Sequence, residues 1–366
     1  MCIRDRVGPG YAGLRWSEYY YNTGDFKNYG VYGDIDFQVN DKWNVIFGLR
    51  YSWDDKSFTW QNPPNTLNAF RPGTANLVFT PVPGYEEAVT GTLRASDSWS
   101  DLTGRAVVRY QINDAAQTFL SYSTGYKSGG FDSLEPSTSD NPLDPEESTN
   151  YEWGIKGDFF NRRLITELAV YYMELDGRQR SVYSKPPGQA NATPILINGD
   201  QEFTGVEIIL NWLITDTMNL GFLTTWRDEE STWEPFYDAR GELVEDTLSD
   251  TADTDYTITF DWSPQISKGR LDLRAEYIFY ENSILEDPTI IHPEGLKGYG
   301  EDRKLLNARA AWSTDDGKWT FGLWGKNLLD NEVTSGVDNL TLASFGTPFV
   351  RIEPPRTYGI EAAYNF

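Results

Sequence analysis

Arg356-Thr-Tyr-Gly-Ile-Glu-Ala-Ala-Tyr-Asn-Phe366 closes the chain, and its reading decides the fold. With a period of two, Tyr358, Ile360, Ala362, Tyr364 and Phe366 share one face, while Thr357, Gly359, Glu361, Ala363 and Asn365 share the other. A strand that is apolar on one side, polar on the other and aromatic at its last residue suits a wall between lipid and water. An amphipathic strand of a soluble sheet alternates in the same way, so this segment has to be weighed with the rest of the chain.

The alternation recurs upstream. Tyr151, Trp153, Ile155, Gly157 and Phe159 oppose Glu152, Gly154, Lys156 and Asp158, and Tyr256, Ile258, Phe260 and Trp262 oppose Thr257, Thr259 and Asp261. Leu271, Leu273, Ala275, Tyr277 and Phe279 oppose Asp272, Arg274, Glu276 and Ile278, and Leu306, Ala308, Ala310 and Trp312 oppose Asn307, Arg309 and Ala311. The pattern predicts 14 strands, over 11–22, 28–39, 43–55, 101–112, 117–127, 149–158, 164–184, 200–213, 217–228, 253–262, 268–280, 301–313, 318–327 and 356–366.

The connections separate the two readings, because they alternate short and long. Short ones are Asn40-Asp-Lys42, Asn113-Asp-Ala-Ala116, Asn161-Arg162, Ile214-Thr-Asp216, Ser263-Pro-Gln-Ile-Ser267 and Thr314-Asp-Asp-Gly317, most of them rich in turn-forming Asn, Asp and Gly. Long ones cover 56–100, 128–148, 229–252, 281–300 and 328–355. Short turns on one rim and long loops on the other describe an outer-membrane barrel, whereas a sandwich has no reason to sort its loops. Aromatics flank the short turns: Trp43, Tyr110, Phe119, Phe159, Phe160, Trp212, Trp262, Trp312 and Trp319, with Tyr364 and Phe366 at the same height. This placement predicts a girdle at the inner interface, with the short turns periplasmic and the last strand descending to them.

Composition agrees. Hydrophobic residues make up 39% and mean hydropathy is −0.53, yet aromatics reach 15%, with 13 Trp and 22 Tyr. No stretch approaches the roughly 20 apolar residues of a transmembrane helix, while lumen-facing polar residues dilute the hydropathy of every barrel strand. The formal charge of −24 argues against a nucleic-acid partner. Acidic residues crowd Asp228–Asp255, which reads as a solvated loop; divalent ions bridging it to lipopolysaccharide are the functional alternative. One cysteine, Cys2, excludes an internal disulfide, and one histidine, His292, leaves no basis for a histidine metal site or a Ser/His/Asp triad. Met1-Cys-Ile-Arg-Asp-Arg6 fits no strand pattern, so 1–6 is read as a non-native leader and 7–366 as barrel.

Five segments resemble the carboxy-terminal barrel of TonB-dependent outer-membrane receptors. They are Ser121-Tyr-Ser-Thr-Gly-Tyr-Lys-Ser-Gly-Gly-Phe131, Pro145-Glu-Glu-Ser-Thr-Asn-Tyr-Glu-Trp-Gly-Ile-Lys-Gly-Asp-Phe-Phe160, Ala169-Val-Tyr-Tyr-Met-Glu-Leu-Asp176, Asn198-Gly-Asp-Gln-Glu-Phe-Thr-Gly-Val-Glu-Ile208 and Gly325-Lys-Asn-Leu-Leu-Asp330. The resemblance implies an all-β antiparallel transmembrane barrel of about 22 strands with a plug inside. This chain then supplies about 14 of them, as an incomplete or open part without plug, TonB-engaging segment or signal peptide. The implied function is energised import of a scarce large solute, with an iron–siderophore complex as the default, and no catalytic residues, cofactor or metal site. The implied partners are outer-membrane lipid and lipopolysaccharide, the barrel assembly machinery at the terminal strand, TonB through the plug region, and the extracellular ligand. Loop-proximal candidates for ligand contact are Tyr126, Lys127, Phe131, Arg178, Arg180, Tyr183 and Trp233. Two alternatives stay open: a complete 14-stranded passive channel, and a secreted soluble all-β glycan-binding protein or enzyme.

Overall fold

A computed structural model describes residues 21–61, 92–131, 142–188, 193–238, 240–245, 248–282, 292–337 and 349–366. The segment expected as a strand at 11–22 and the leader at 1–6 lie essentially outside these residues. One antiparallel sheet dominates. Its strands run, in sheet order, β1 (Tyr21–Gln38), β2 (Trp43–Gln61), β3 (Thr92–Asn113), β4 (Ala116–Lys127), β5 (Glu146–Phe159), β6 (Leu164–Asp176), β9 (Gly199–Thr215), β10 (Met218–Trp233), β13 (Leu248–Trp262), β15 (Gly269–Tyr280), β16 (Arg303–Ser313), β17 (Trp319–Lys326) and β20 (Thr357–Tyr364). The fourteenth member, β14 (Gln265–Ile266), pairs with β15 inside a short turn. The strand count therefore equals the expected one with a different membership. Among the described residues β1 pairs with β2 and β20 with β17, so the sheet is curved but open.

Three hairpins stand off the main sheet on the long-loop rim: β7 (Arg180–Ser184) with β8 (Thr193–Ile197), β11 (Phe236–Tyr237) with β12 (Leu243–Val244), and β18 (Thr334–Val337) with β19 (Val350–Ile352). The first corrects an expectation. The strand expected over 164–184 ends at Asp176, because Gly177 takes a left-handed backbone (φ 66°) and turns the chain off the sheet. Strands β2 and β3 also run much further than 43–55 and 101–112. Their ladder continues from Asp55↔Ser98 to Gln61↔Thr92. That upper part departs from the apolar-outside pattern because its inner face packs Phe58 and Trp99 against Phe131 while its outer face carries Asp55, Ser57 and Thr59.

Cross-strand register sorts the side chains. Tyr358, Ile360 and Tyr364 share the outer face with Gly325, Leu323 and Trp319, and then with Ala310 and Trp312. Tyr358 and Ile360 are 80% and 83% exposed, as a lipid-facing surface requires. Opposite them lie charged residues that pair across strands. Arg105 reaches Asp34 at 2.8 Å over Gly48, the residue between them in register, where a Cβ would meet the Asp34 carboxylate. Arg309 pairs diagonally with Glu361 across β17, and Gly322, opposite Glu361 in register, leaves room for that carboxylate. Lys156–Glu167 (2.8 Å) and Arg274–Asp261 (3.2 Å) continue this polar inner face.

Other strand glycines carry aromatic rings. Phe119 lies on Gly154, Tyr171 on Gly205 and Trp324 on Gly359, each pair in register on the inner face. Phe119 is thus a correction to the aromatics expected on the outer rim. Its register with Gly154 turns the ring inward, where the glycine accepts it.

Candidate functional site

Trp43, Phe159, Trp212, Trp262, Trp312, Trp319 and Tyr364 all stand on the outer face beside short turns. Register carries this row from strand to strand: Trp43↔Tyr110, Phe159↔Leu164, Leu164↔Trp212, Leu271↔Trp312 and Trp319↔Tyr364. Rings touch along it, with centroids 4.6 Å apart for Trp43–Tyr110, 4.7 Å for Trp319–Tyr364 and 5.1 Å for Tyr364–Phe366. A second outer row crosses Tyr29–Trp53, Tyr122–Tyr151 and Tyr256–Phe279 nearer the long loops. On β5 the two rows are Phe159 and Tyr151, eight residues or about 27 Å apart along the strand. With a tilt of about 40° that is a band about 20 Å tall, close to the apolar height of such barrels.

The long-loop rim gathers the polar candidates over the inner face. Trp233 ends β10 opposite Gly199, and a Cβ on that glycine would strike its ring. The ring is 4% exposed and packs with Val182, Ile197 and Phe236, so β7, β8 and β11 bend back over the sheet onto it. Arg180 and Arg178 stack on the same ring at 5.0 and 5.8 Å. Arg178 also donates to Gln201 and lies 3.8 Å from Glu229. Asp238 is almost fully buried; its carboxylate accepts from the backbone N–H groups of Arg240 and Glu242 and from the Arg240 guanidinium, which shapes the β11–β12 hairpin.

Phe131 belongs to a neighbouring group. It stacks on Phe58 at 6.1 Å and tilts against Trp99 at 5.9 Å, and Lys56 lies over Trp99 while donating to the Gly129 carbonyl at 2.7 Å. A Cβ on Gly129 would meet both Trp99 and the Leu143 carbonyl, so this glycine lets the loop cross closely. Lys127 pairs with Glu146. The Tyr126 hydroxyl is buried without a hydrogen-bond partner among the described residues. Tyr183 sits half-buried in β7.

On the far side Thr334 fastens the segment at Lys297–Gly298 through 2.8 and 3.0 Å bonds, and the Glu332 carboxylate beside Lys297 raises that amine's pKa above its ordinary value. Among the described residues no group of three carboxylate, His or Cys side chains could hold a metal ion.

The structure thus brings Arg178, Arg180 and Trp233 into one cluster and places Lys127 and Phe131 at another, within the same rim. Asn198, Gln201, Glu229, Lys56 and Trp99 complete these clusters without having been singled out as site residues. Asn198 and Gln201 lie in the quoted Asn198–Ile208 stretch, which was their only signal in the sequence.

The TonB dependent receptor-like, beta-barrel family matches residues 4–328. A protein described as the probable TonB-dependent siderophore receptor PiuA of Acinetobacter baumannii is 28% identical over 208 residues, which is 55% of this chain and 24% of that protein. The ferric-pyoverdine BN7/BN8 receptor of Pseudomonas putida is 37% identical over 153 residues, 42% of this chain and 16% of that one. Among solved structures, the ferric yersiniabactin uptake receptor FyuA of Yersinia pestis superposes with a TM-score of 0.63 at 14% identity, over 95% of this chain and 47% of its own. The siderophore receptor PiuA of Acinetobacter baumannii gives 0.63 at 16% identity, over 93% and 43%. The chain therefore spans less than half the length of these relatives.

Proposed function

This chain belongs to the TonB-dependent receptor β-barrel family of the Gram-negative outer membrane, and from that premise we propose that it forms wall and extracellular mouth of an importer for an iron–siderophore complex. One observation carries the reading: the long-loop hairpins fold inward onto Trp233 and hold Arg178 and Arg180 above a polar inner face. Two curated relatives are described as siderophore receptors, which supports the cargo. Ferric chelates are large, polar and commonly anionic, so guanidinium and ammonium groups at the mouth suit them.

In this reading Lys127, Arg178, Arg180, Tyr126 and Tyr183 meet the ligand, and Phe131 and Trp233 hold those groups in place from below. The barrel wall is rigid and the transport step makes or breaks no covalent bond, so it needs no catalytic residue. Work would come from TonB acting on a plug, and the barrel assembly machinery would recognise the strand ending at Phe366. The row from Trp43 to Tyr364 and Phe366 would sit at the periplasmic interface among lipid headgroups, with lipopolysaccharide facing the other row. Residues 7–366 would all be barrel.

The test is growth under iron chelation in a Gram-negative strain stripped of its own siderophore receptors. A gene that joins this barrel part to a plug and TonB-engaging region should restore growth on supplied ferric pyoverdine or another ferric siderophore, and only with TonB intact. Restoration without TonB would overturn the import mechanism; no restoration with any ferric chelate would overturn the cargo.

A further inference from the structure

We propose that Asn198 is the positioning residue that fastens three separate long-loop segments into one cap, so that the cap opens as a unit. The inference rests on reading this rim as the ligand mouth. Asn198 lies just before β9, is 6% exposed, and divides its polar groups among three neighbours. Its side-chain amide forms a reciprocal pair with the Asp144 backbone: Oδ1 accepts from the Asp144 N–H at 3.1 Å and Nδ2 donates to the Asp144 carbonyl at 3.2 Å. Nδ2 also donates to the Gly177 carbonyl at 2.5 Å. Its backbone N–H donates to Glu234 Oε2 at 3.2 Å, and its carbonyl accepts from the Glu234 N–H at 3.1 Å.

Asp144 precedes β5, Gly177 follows β6 and Glu234 follows β10, so one residue, through its side chain and its backbone, ties together connections that are far apart in sequence. Gln179 adds a second strap, donating to the Ser128 carbonyl at 3.1 Å and the Asp144 carbonyl at 2.9 Å. The neighbouring Gly199 exchanges both backbone hydrogen bonds with Arg178, the residue stacked on Trp233. The link therefore runs from the Gly129–Phe131 loop through Asp144 and Asn198 to the Arg178–Trp233 cluster. Buried amides with every donor and acceptor satisfied are costly to open one bond at a time, because each half-opened state strands polar groups. That cost is the physical reason for release as a unit.

The experiment is hydrogen exchange read by mass spectrometry on the full chain in detergent, without ligand. Asn198→Ala removes the bonds to Asp144 and Gly177 and keeps the backbone pair with Glu234, so opening as a unit should still raise exchange at least tenfold around 142–145, 177–188 and 234–238 alike, and leave the lower halves of β5 and β9 unchanged. Asp144→Ala should change none of them, since only that residue's backbone is used. Gln179→Ala, which removes two bonds inside the same cap, should loosen the three segments together and to a smaller degree. If Asn198→Ala does not assemble, Asn198→Asp, which keeps the Oδ1 acceptor and loses both Nδ2 donations, should show the same joint loosening to a smaller degree. Exchange that rises only beside residue 198, or three segments that loosen independently across these variants, would overturn the proposal. Because no ligand is added, failure of the siderophore reading would leave this result unaffected.

Discussion

Replacing Trp233 by alanine should release both inward-folded hairpins while the barrel wall stays intact. The ring is 4% exposed and is the largest member of the cluster with Val182, Ile197 and Phe236. A buried Trp covers about 200 Å², which at about 25 cal/mol per Å² contributes about 5 kcal/mol. Measured aromatic-to-alanine losses of about 3–5 kcal/mol agree. Each of the two stacked guanidiniums adds about 0.5–1 kcal/mol. A loss of about 3–5 kcal/mol shifts the opening equilibrium on the order of a hundredfold to a few thousandfold. The assay is limited proteolysis and amide exchange of segments 180–197 and 236–244 in detergent micelles, with Trp233→Phe as an intermediate case. The heat-sensitive electrophoretic migration of the folded barrel should be kept. Unchanged protection of both hairpins in Trp233→Ala would refute the reasoning, since the hairpins would then owe their position to their own ladders.

On the outer face, Leu323→Arg should cost about 2–4 kcal/mol of barrel stability in lipid, because the site is 62% exposed between the two aromatic rows; denaturant titration in vesicles would show it, and no loss would argue for a water-facing sheet. Gly154→Val should destabilise by about 1–3 kcal/mol, because its Cβ would stand 2.4 Å from the Phe119 ring and 3.0 Å from the Leu168 carbonyl; thermal loss of the folded electrophoretic band measures this, and Gly33→Val, where a Cβ meets nothing within 4 Å, is the control. In the turn before β17, the Thr314 hydroxyl and then the Lys318 N–H donate to the Asp316 carboxylate and hold its pKa below the ordinary carboxylate value. A depressed folded pKa means the turn gains stability above the unfolded value near 4 and loses it as pH falls through the folded value; an NMR titration should place Asp316 low and Thr314→Ala should return it upward.

Strand identity and facing were legible because each residue of a half-lipid strand obeys a local rule. Tyr358, Ile360 and Tyr364 face out for the same reason Arg309 and Glu361 face in, and the period of two carries that information without any partner strand. Turn chemistry at Asn161-Arg162 and Thr314–Gly317 is local too: residues 160–162 all adopt positive φ, as a tight hairpin turn needs. Legibility failed where the apolar face stopped being the outer one. Above the outer band β2 and β3 carry Phe58 and Trp99 on the inner face and polar Asp55, Ser57 and Thr59 on the outer, so Asp55–Gln61 and Thr92–Ser98 looked like loop although their ladder is regular. Phe119 looked like an interfacial aromatic because its distance from a turn is local, while its direction depends on the register with Gly154.

The amino-acid sequence by itself determined an all-β antiparallel barrel wall, its short-turn and long-loop rims and its outer aromatic row, since period, turn residues and composition act within a few neighbours. Only the tertiary structure decided that β7 with β8 and β11 with β12 fold inward onto Trp233, that Phe131 joins Phe58 and Trp99, and that Asn198 meets Asp144. Those contacts join residues far apart in the chain, 54 positions in the case of Asn198 and Asp144. No local pattern encodes them; they form only after the sheet has set the strands in register and brought the loop ends within hydrogen-bonding reach.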